Sequence, residues 1–137
     1  MAMWLIGLLV AASIIALLTL QTRSEKRRAL CHMQGRKPLP DDDFGREFFP
    51  PHRAEVAARL RQTLSRHVAL DLSRLHPDDK LVEDIRMDSL DSMSTVEFIV
   101  DVEREFGVAI PDAEAQQMRS LRDVVEYVTT HLPKETV

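Results

Sequence analysis

This chain has little cysteine and little glycine: one cysteine, Cys31, and four glycines in 137 residues. A single thiol excludes an intramolecular disulfide and a cysteine-rich metal site. Four scattered glycines leave no glycine-rich loop able to cradle a phosphate. The five histidines, His32, His52, His67, His76 and His131, are spread along the chain and form no metal-binding or catalytic set with serines or carboxylates. The aspartate runs Asp41 to Asp43 and Asp78 to Asp79 lack the glycine and glutamate that a calcium loop needs downstream, so no metal is expected. Alternating strand patterns and internal repeats are also absent, which leaves an all-α chain with no catalytic apparatus of its own.

Charge is missing from one place in particular. Between Ala2 and Leu20 no residue is charged and only Ser13 and Thr19 are polar. As a helix this stretch is about 28 Å long at 1.5 Å per residue, enough to span a bilayer. No basic residue precedes the apolar run, and the small residues Ala11, Ala12 and Ser13 lie halfway along it, unlike the layout of a cleaved signal peptide. A retained single transmembrane helix over residues 1–22 is the expectation. Arg23, Lys26, Arg27, Arg28, Arg36 and Lys37 all follow it, and the bias of basic flanks toward the cytoplasm puts the folded domain there.

Charge also divides the chain. Residues 1–40 carry six basic and one acidic side chain, and residues 41–137 carry twelve basic and twenty-one acidic ones. An acidic domain on a basic stem argues against nucleic acid as a partner. The stem suits anionic lipid headgroups instead, at about 1 kcal/mol per basic residue near the surface.

Residues 23–51, with Pro38, Pro40, Pro50, Pro51 and no sustained apolar period, read as a linker whose Phe44, Phe48 and Phe49 pack back onto the domain. A domain is expected over 52–137. Its first helix runs from about Arg53 to Leu70, with Val56, Ala57, Leu60, Leu64 and Val68 inward and Arg59, Arg61 and Arg66 off that stripe. A long loop follows over 71–91, its Leu72, Leu75, Leu81, Val82 and Ile85 dipping into the core. The second helix should run from about Ser92 to Phe106 and stop at Gly107, burying Met93, Val96, Ile99, Val100 and Phe106 with Val102 at the edge. Pro111 and Asp112 open a short helix to about Met118. Ser120 with Asp123 resembles a capping box for a last helix that buries Leu121, Val124, Val125, Val128 and Leu132. The sum is a small four-helix bundle, three helices long and one short, preceded by a transmembrane helix.

Ser92 stands where the loop becomes an acidic helix, so its hydroxyl lies beside unpaired N–H groups and the positive end of the dipole, a setting suited to an attached phosphate. Around it are Leu81-Val82-Glu83-Asp84-Ile85, Asp88-Ser89-Leu90-Asp91, Thr95-Val96-Glu97, Glu103-Arg104-Glu105-Phe106-Gly107 and Ile110-Pro111-Asp112. In order and spacing these segments resemble the acyl carrier proteins and related phosphopantetheine-bearing carrier domains, over about residues 53–132. The resemblance implies a serine that receives 4′-phosphopantetheine from coenzyme A through a phosphopantetheinyl transferase, and a terminal thiol that carries acyl groups as thioesters.

Two departures bear on which serine is modified. Arg86 stands where the family usually has glycine, and three extra residues separate the upstream match from the downstream one. Aligned from the loop, the attachment site is Ser89; aligned from the helix, it is Ser92. Ser92 is favoured, because three residues added inside a helix would rotate its later stripe by about 300°, whereas a loop absorbs them at small cost.

Eight acidic residues against Arg104 alone lie between Asp88 and Glu114. By the same resemblance, Asp91, Glu97, Asp101 and Glu103 are docking contacts for basic patches on the transferase and on acyl-handling enzymes. The expected function is a membrane-anchored acyl carrier in fatty acid or lipid biosynthesis. The alternatives are an aminoacyl or peptidyl carrier, or an unmodified helical adaptor that binds partners through its acidic helix.

Overall fold

The computed structural model describes residues 2–68, 70–85 and 93–133. The chain divides into two compact units, Met1–Gln34 and Gly35–Val137. Six helices occur among the described residues, and the only extended pairing there is an isolated bridge between Lys80 and Ser120.

The first unit is one helix, α1 (Ala2–Met33). Its Met3–Gln21 stretch is long and apolar enough to cross a membrane, a property that membrane spans share with signal sequences. Both hydroxyls in that stretch fold back onto the helix: Ser13 donates to the Leu9 carbonyl at 2.8 Å and Thr19 to that of Ala16 at 2.9 Å. Neither therefore needs a solvent partner, as an apolar surrounding demands.

The second unit holds α2 (Asp41–Phe48), α3 (Pro51–Ser65), α4 (Met93–Phe106), α5 (Asp112–Ala115) and α6 (Leu121–His131). Residues 41–48, expected in a linker, are helical. Three aspartates in the first turn favour the positive end of that helix, and Pro51 at the first position of α3 starts the next with a preset φ. Phe44 and Phe49 are buried and Phe48 half-buried, with the Phe44 and Phe48 rings edge-to-face at 5.4 Å, so the aromatic cluster does pack onto the domain. The α2–α3 approach is close: a Cβ at Gly45 would overlap the Ala54 carbonyl.

Helix α3 buries Val56, Ala57, Leu60 and Leu64 as its spacing predicts, but ends at Ser65 rather than Leu70. Its last turn tightens into three-residue bonds, Arg66 N–H to Thr63 and His67 N–H to Leu64, which ends the helical period before Val68. A larger correction concerns Arg61, expected off the buried stripe. It is 4 % exposed, because α2 lies over it. Its Nε donates to Asp41 at 2.7 Å, its Nη2 to the Leu39 carbonyl at 2.7 Å, and its guanidinium stacks 4.6 Å from the Phe44 ring.

The loop after α3 behaves as expected at Leu72, Leu75, Leu81 and Ile85, all buried, whereas Val82 is exposed. Backbone bonds explain its order: Leu39 N–H donates to Ser73 at 2.8 Å, Leu81 N–H to Arg119 at 2.9 Å, and Arg122 N–H to Pro77 at 3.1 Å. Helix α5 ends at Ala115, short of Met118, again through three-residue bonds. The Ser120–Asp123 capping box is formed, and α6 buries Leu121, Val124, Val125 and Val128.

Two acidic groups near the loop carry lowered pKa values. Arg122 donates to Asp78, at 3.3 Å from Nη2, and holds its carboxyl below the usual range. The Ser73 N–H does the same for Asp71. A carboxylate whose folded pKa is depressed adds stability above its unfolded value, about 3.9, and that contribution is lost as pH falls through the folded value. Arg36 and Arg122 are shifted upward, so their contribution disappears only in strong alkali. Urea midpoints are thus expected to fall below about pH 4, and Asp78→Asn should flatten part of that fall. An identical acid dependence in the variant would refute the assignment to Asp78.

Candidate functional site

Asp88, Ser89, Asp91 and Ser92 fall outside the described residues, so the site is built from α4 and the elements packed around it. Helix α4 begins at Met93 and stops at Phe106, and Gly107 takes φ 64°, the left-handed conformation that suits glycine at a helix end. The stop agrees with the sequence, whereas the expected start at Ser92 lies outside the described residues.

The buried stripe of α4 differs from the expected one. The residues that enter the core are Thr95, Phe98, Val102 and Phe106, at spacings of three, four and four. Met93 is 75 % exposed, Val96 49 % and Val100 40 %, although these three were expected inside with Ile99. The helix has two apolar faces, and the large Phe98 takes one of them into the core. The second face remains at the surface. Its Val96 and Val100, with Ile99, Ile110, Ala115 and Gln116, line a groove of about 430 Å³ between α4 and α5.

The rim of this groove is acidic. Glu103 lines it and accepts the Ile110 N–H at 2.7 Å, which fixes the loop from α4 to α5. Asp112 also lines it, and Glu114 is exposed on the same short helix. Glu97 is exposed and has no ion-pair partner among the described residues. Asp101 instead meets Nε2 of His67, in the turn just after α3, at 2.7 Å, and the His67 ring packs edge-to-face on Phe98 at 6.1 Å. Of the three described acids expected to dock partners, Glu97 alone offers an unengaged carboxylate. Glu103 and Asp101 already hold parts of the fold together.

Glu105, on the other side of α4, receives the Thr63 hydroxyl at 2.6 Å and the guanidinium of Arg59 at 3.3 Å, so it ties α4 to α3. Sequence reasoning missed the groove. The signal for it was a second apolar series in α4, Val96, Ile99 and Val100, at helical spacing beside that of Phe98, Val102 and Phe106.

The groove suits the flexible arm that a carrier serine would bear. Val96, Ile99, Val100, Ile110 and Ala115 provide apolar walls, and Gln116, Glu103 and Asp112 offer polar atoms that amide and hydroxyl groups can meet. The N-terminal end of α4 adds the positive end of a fourteen-residue helix for an attached phosphate.

Comparison with known proteins agrees with this geometry. The family model for the phosphopantetheine attachment site matches residues 58–128. An acyl carrier protein of Thermosynechococcus vestitus is 32 % identical over 77 residues, 56 % of this chain and 91 % of that protein. An acyl carrier protein of Rubrobacter xylanophilus is 33 % identical over 79 residues, 58 % of this chain and 94 % of that protein. Helices α1 and α2 precede the residues that the family model matches. From α3 onward the helix order, the acidic rim and these likenesses agree, and the chain belongs to the acyl carrier protein family, non-catalytic carriers of a covalently attached 4′-phosphopantetheine.

Proposed function

We propose that this protein is a bilayer-anchored acyl carrier, modified at Ser92, that presents thioester-bound acyl groups to lipid-synthesising enzymes at the cytoplasmic face of a membrane. The observation that carries the anchor is α1, whose Met3–Gln21 stretch is uncharged and wholly unburied, followed by exposed Arg23, Arg27 and Arg28. An isolated helix with that much apolar surface is unstable in water, and a bilayer accommodates it. Residues 1–22 then form the anchor, and the carrier function resides in the domain read over 52–137.

Loading and its place can be tested together. Full-length protein incubated with coenzyme A and a broad phosphopantetheinyl transferase should gain the mass of one phosphopantetheine. No gain at any serine would end the carrier reading. Protease added outside intact cells should leave the carrier domain untouched, and its digestion there would reverse the orientation.

Glu97 is the acid best placed to meet a transferase. Exposed charges act mainly on encounter rate and are screened by salt. Glu97→Lys should therefore slow loading roughly three- to tenfold at low ionic strength and little at high salt. A salt-independent defect, or none, would remove Glu97 from the docking surface. The acids of α4 and α5 also leave open a carrier for aminoacyl groups, and the cargo found on the thiol after purification from cells distinguishes the two.

A further inference from the structure

Residues 23–51 read as a coil of about 29 residues would let the carrier roam: such a chain spans roughly 30 Å on average and about 100 Å when fully drawn out. The structure removes nearly all of that slack. Helix α1 continues twelve residues past Gln21, to Met33, which adds about 18 Å of helix beyond the apolar stretch. Gln34 still bonds to the Cys31 carbonyl at 3.2 Å.

The second unit is fastened almost from its first residue. Arg36 pairs with the buried Asp79 at 3.0 Å, Leu39 bonds to Ser73 through its N–H and to Arg61 through its carbonyl, and Asp41 is held by Arg61. Only Gln34 and Gly35 lie between the end of α1 and these attachments.

We infer that the carrier domain works on a short stalk, within a shell close to the bilayer, where every acyl-handling partner has to reach it. The inference rests on the reading of α1 as a membrane anchor. It depends on contour length alone: twelve helical residues and two free ones cannot carry the first residue of the domain more than about 25 Å from the end of the apolar stretch. A partner must come to the surface, because the carrier cannot leave it. The exposed Arg23, Arg27 and Arg28 on the stalk favour anionic headgroups and shorten that distance further.

Energy transfer from the domain to the bilayer tests this. Full-length Cys31→Ser protein with Gln117→Cys, an exposed position, is labelled with a donor and reconstituted into vesicles that contain acceptor-labelled lipid. The same protein with a Gly/Ser segment of about 24 residues inserted between Gln34 and Gly35 is the comparison. Transfer should fall at least about twofold in the inserted protein, which can leave the surface. Flotation with the vesicles but equal transfer in both proteins would overturn the short stalk while leaving the anchor intact. Failure of both to float would overturn the anchor, and the stalk with it. Matching thermal melts of the two proteins exclude unfolding of the domain as the cause of a lost signal.

Discussion

Replacing Ser92 by alanine is expected to abolish phosphopantetheine loading completely, and replacing Ser89 is expected to leave it intact. The reason lies downstream. Helix α4 is fixed at its far end by Gly107 in the left-handed region and along its length by Thr95, Phe98, Val102 and Phe106 in the core. Three additional residues inside it would turn the Phe98, Val102 and Phe106 stripe by about 300°, which is about 60° off the buried face, and shift it by about 4.5 Å along the axis. On this reading the additional residues belong ahead of Met93, and Ser92 is the serine next to it in sequence. Peptide mapping of loaded protein checks this directly. An adduct that survives Ser92→Ala and disappears in Ser89→Ala would reverse the assignment, and the groove between α4 and α5 would then have to receive an arm attached three residues further back.

Much of the carrier unit was legible because its signals are local. Gly107, Pro111 with Asp112, and the Ser120–Asp123 pair each act through backbone chemistry within a turn, so the stop of α4 and the starts of α5 and α6 follow from a few neighbouring residues. The buried face of α4 was not legible, because its apolar residues fill two stripes and only the volume of Phe98 against α3 decides which turns inward. Glu103 and Asp101 illustrate a related limit. Acidic residues on an amphipathic helix all look solvated in sequence, yet one caps the Ile110 N–H and the other meets His67, partners seven and thirty-four residues away. Helix α2 escaped for the same reason. Prolines on either side suggested a linker, and nothing in the sequence reveals that Arg61, twenty residues on, supplies the donors that seat it.

Arg61 is accordingly where a single change should do most damage to the fold. Arg61→Met preserves most of the aliphatic stem and removes the guanidinium, which donates to Asp41, to the Leu39 carbonyl at 2.7 Å and to the Leu72 carbonyl at 3.4 Å while covering the Phe44 ring. Asp41 is 39 % exposed and can turn to water, so its carboxylate accounts for little of the loss. The carbonyls and the aromatic face account for more. Buried acceptors left without a donor cost about 1 to 3 kcal/mol, and loss of the cation above Phe44 adds about 1 kcal/mol. A total of about 2 to 4 kcal/mol is a large part of the roughly 5 to 15 kcal/mol that holds a small domain folded, and corresponds to a fall in Tm of roughly 10 to 25 °C. Arg61→Lys should recover only part of this, since one ammonium cannot reach Asp41 and two carbonyls in the planar geometry of a guanidinium. Thermal melts of the two variants test the ranking, and a loss below about 0.5 kcal/mol in Arg61→Met would mean that α2 is seated by Phe44 and Phe49 alone. Because the seating of α2 also removes the slack between anchor and carrier, Arg61→Met should lower energy transfer to the bilayer at temperatures where α4 and α6 remain folded. That result would tie one buried charge in α3 to the distance at which the carrier can work.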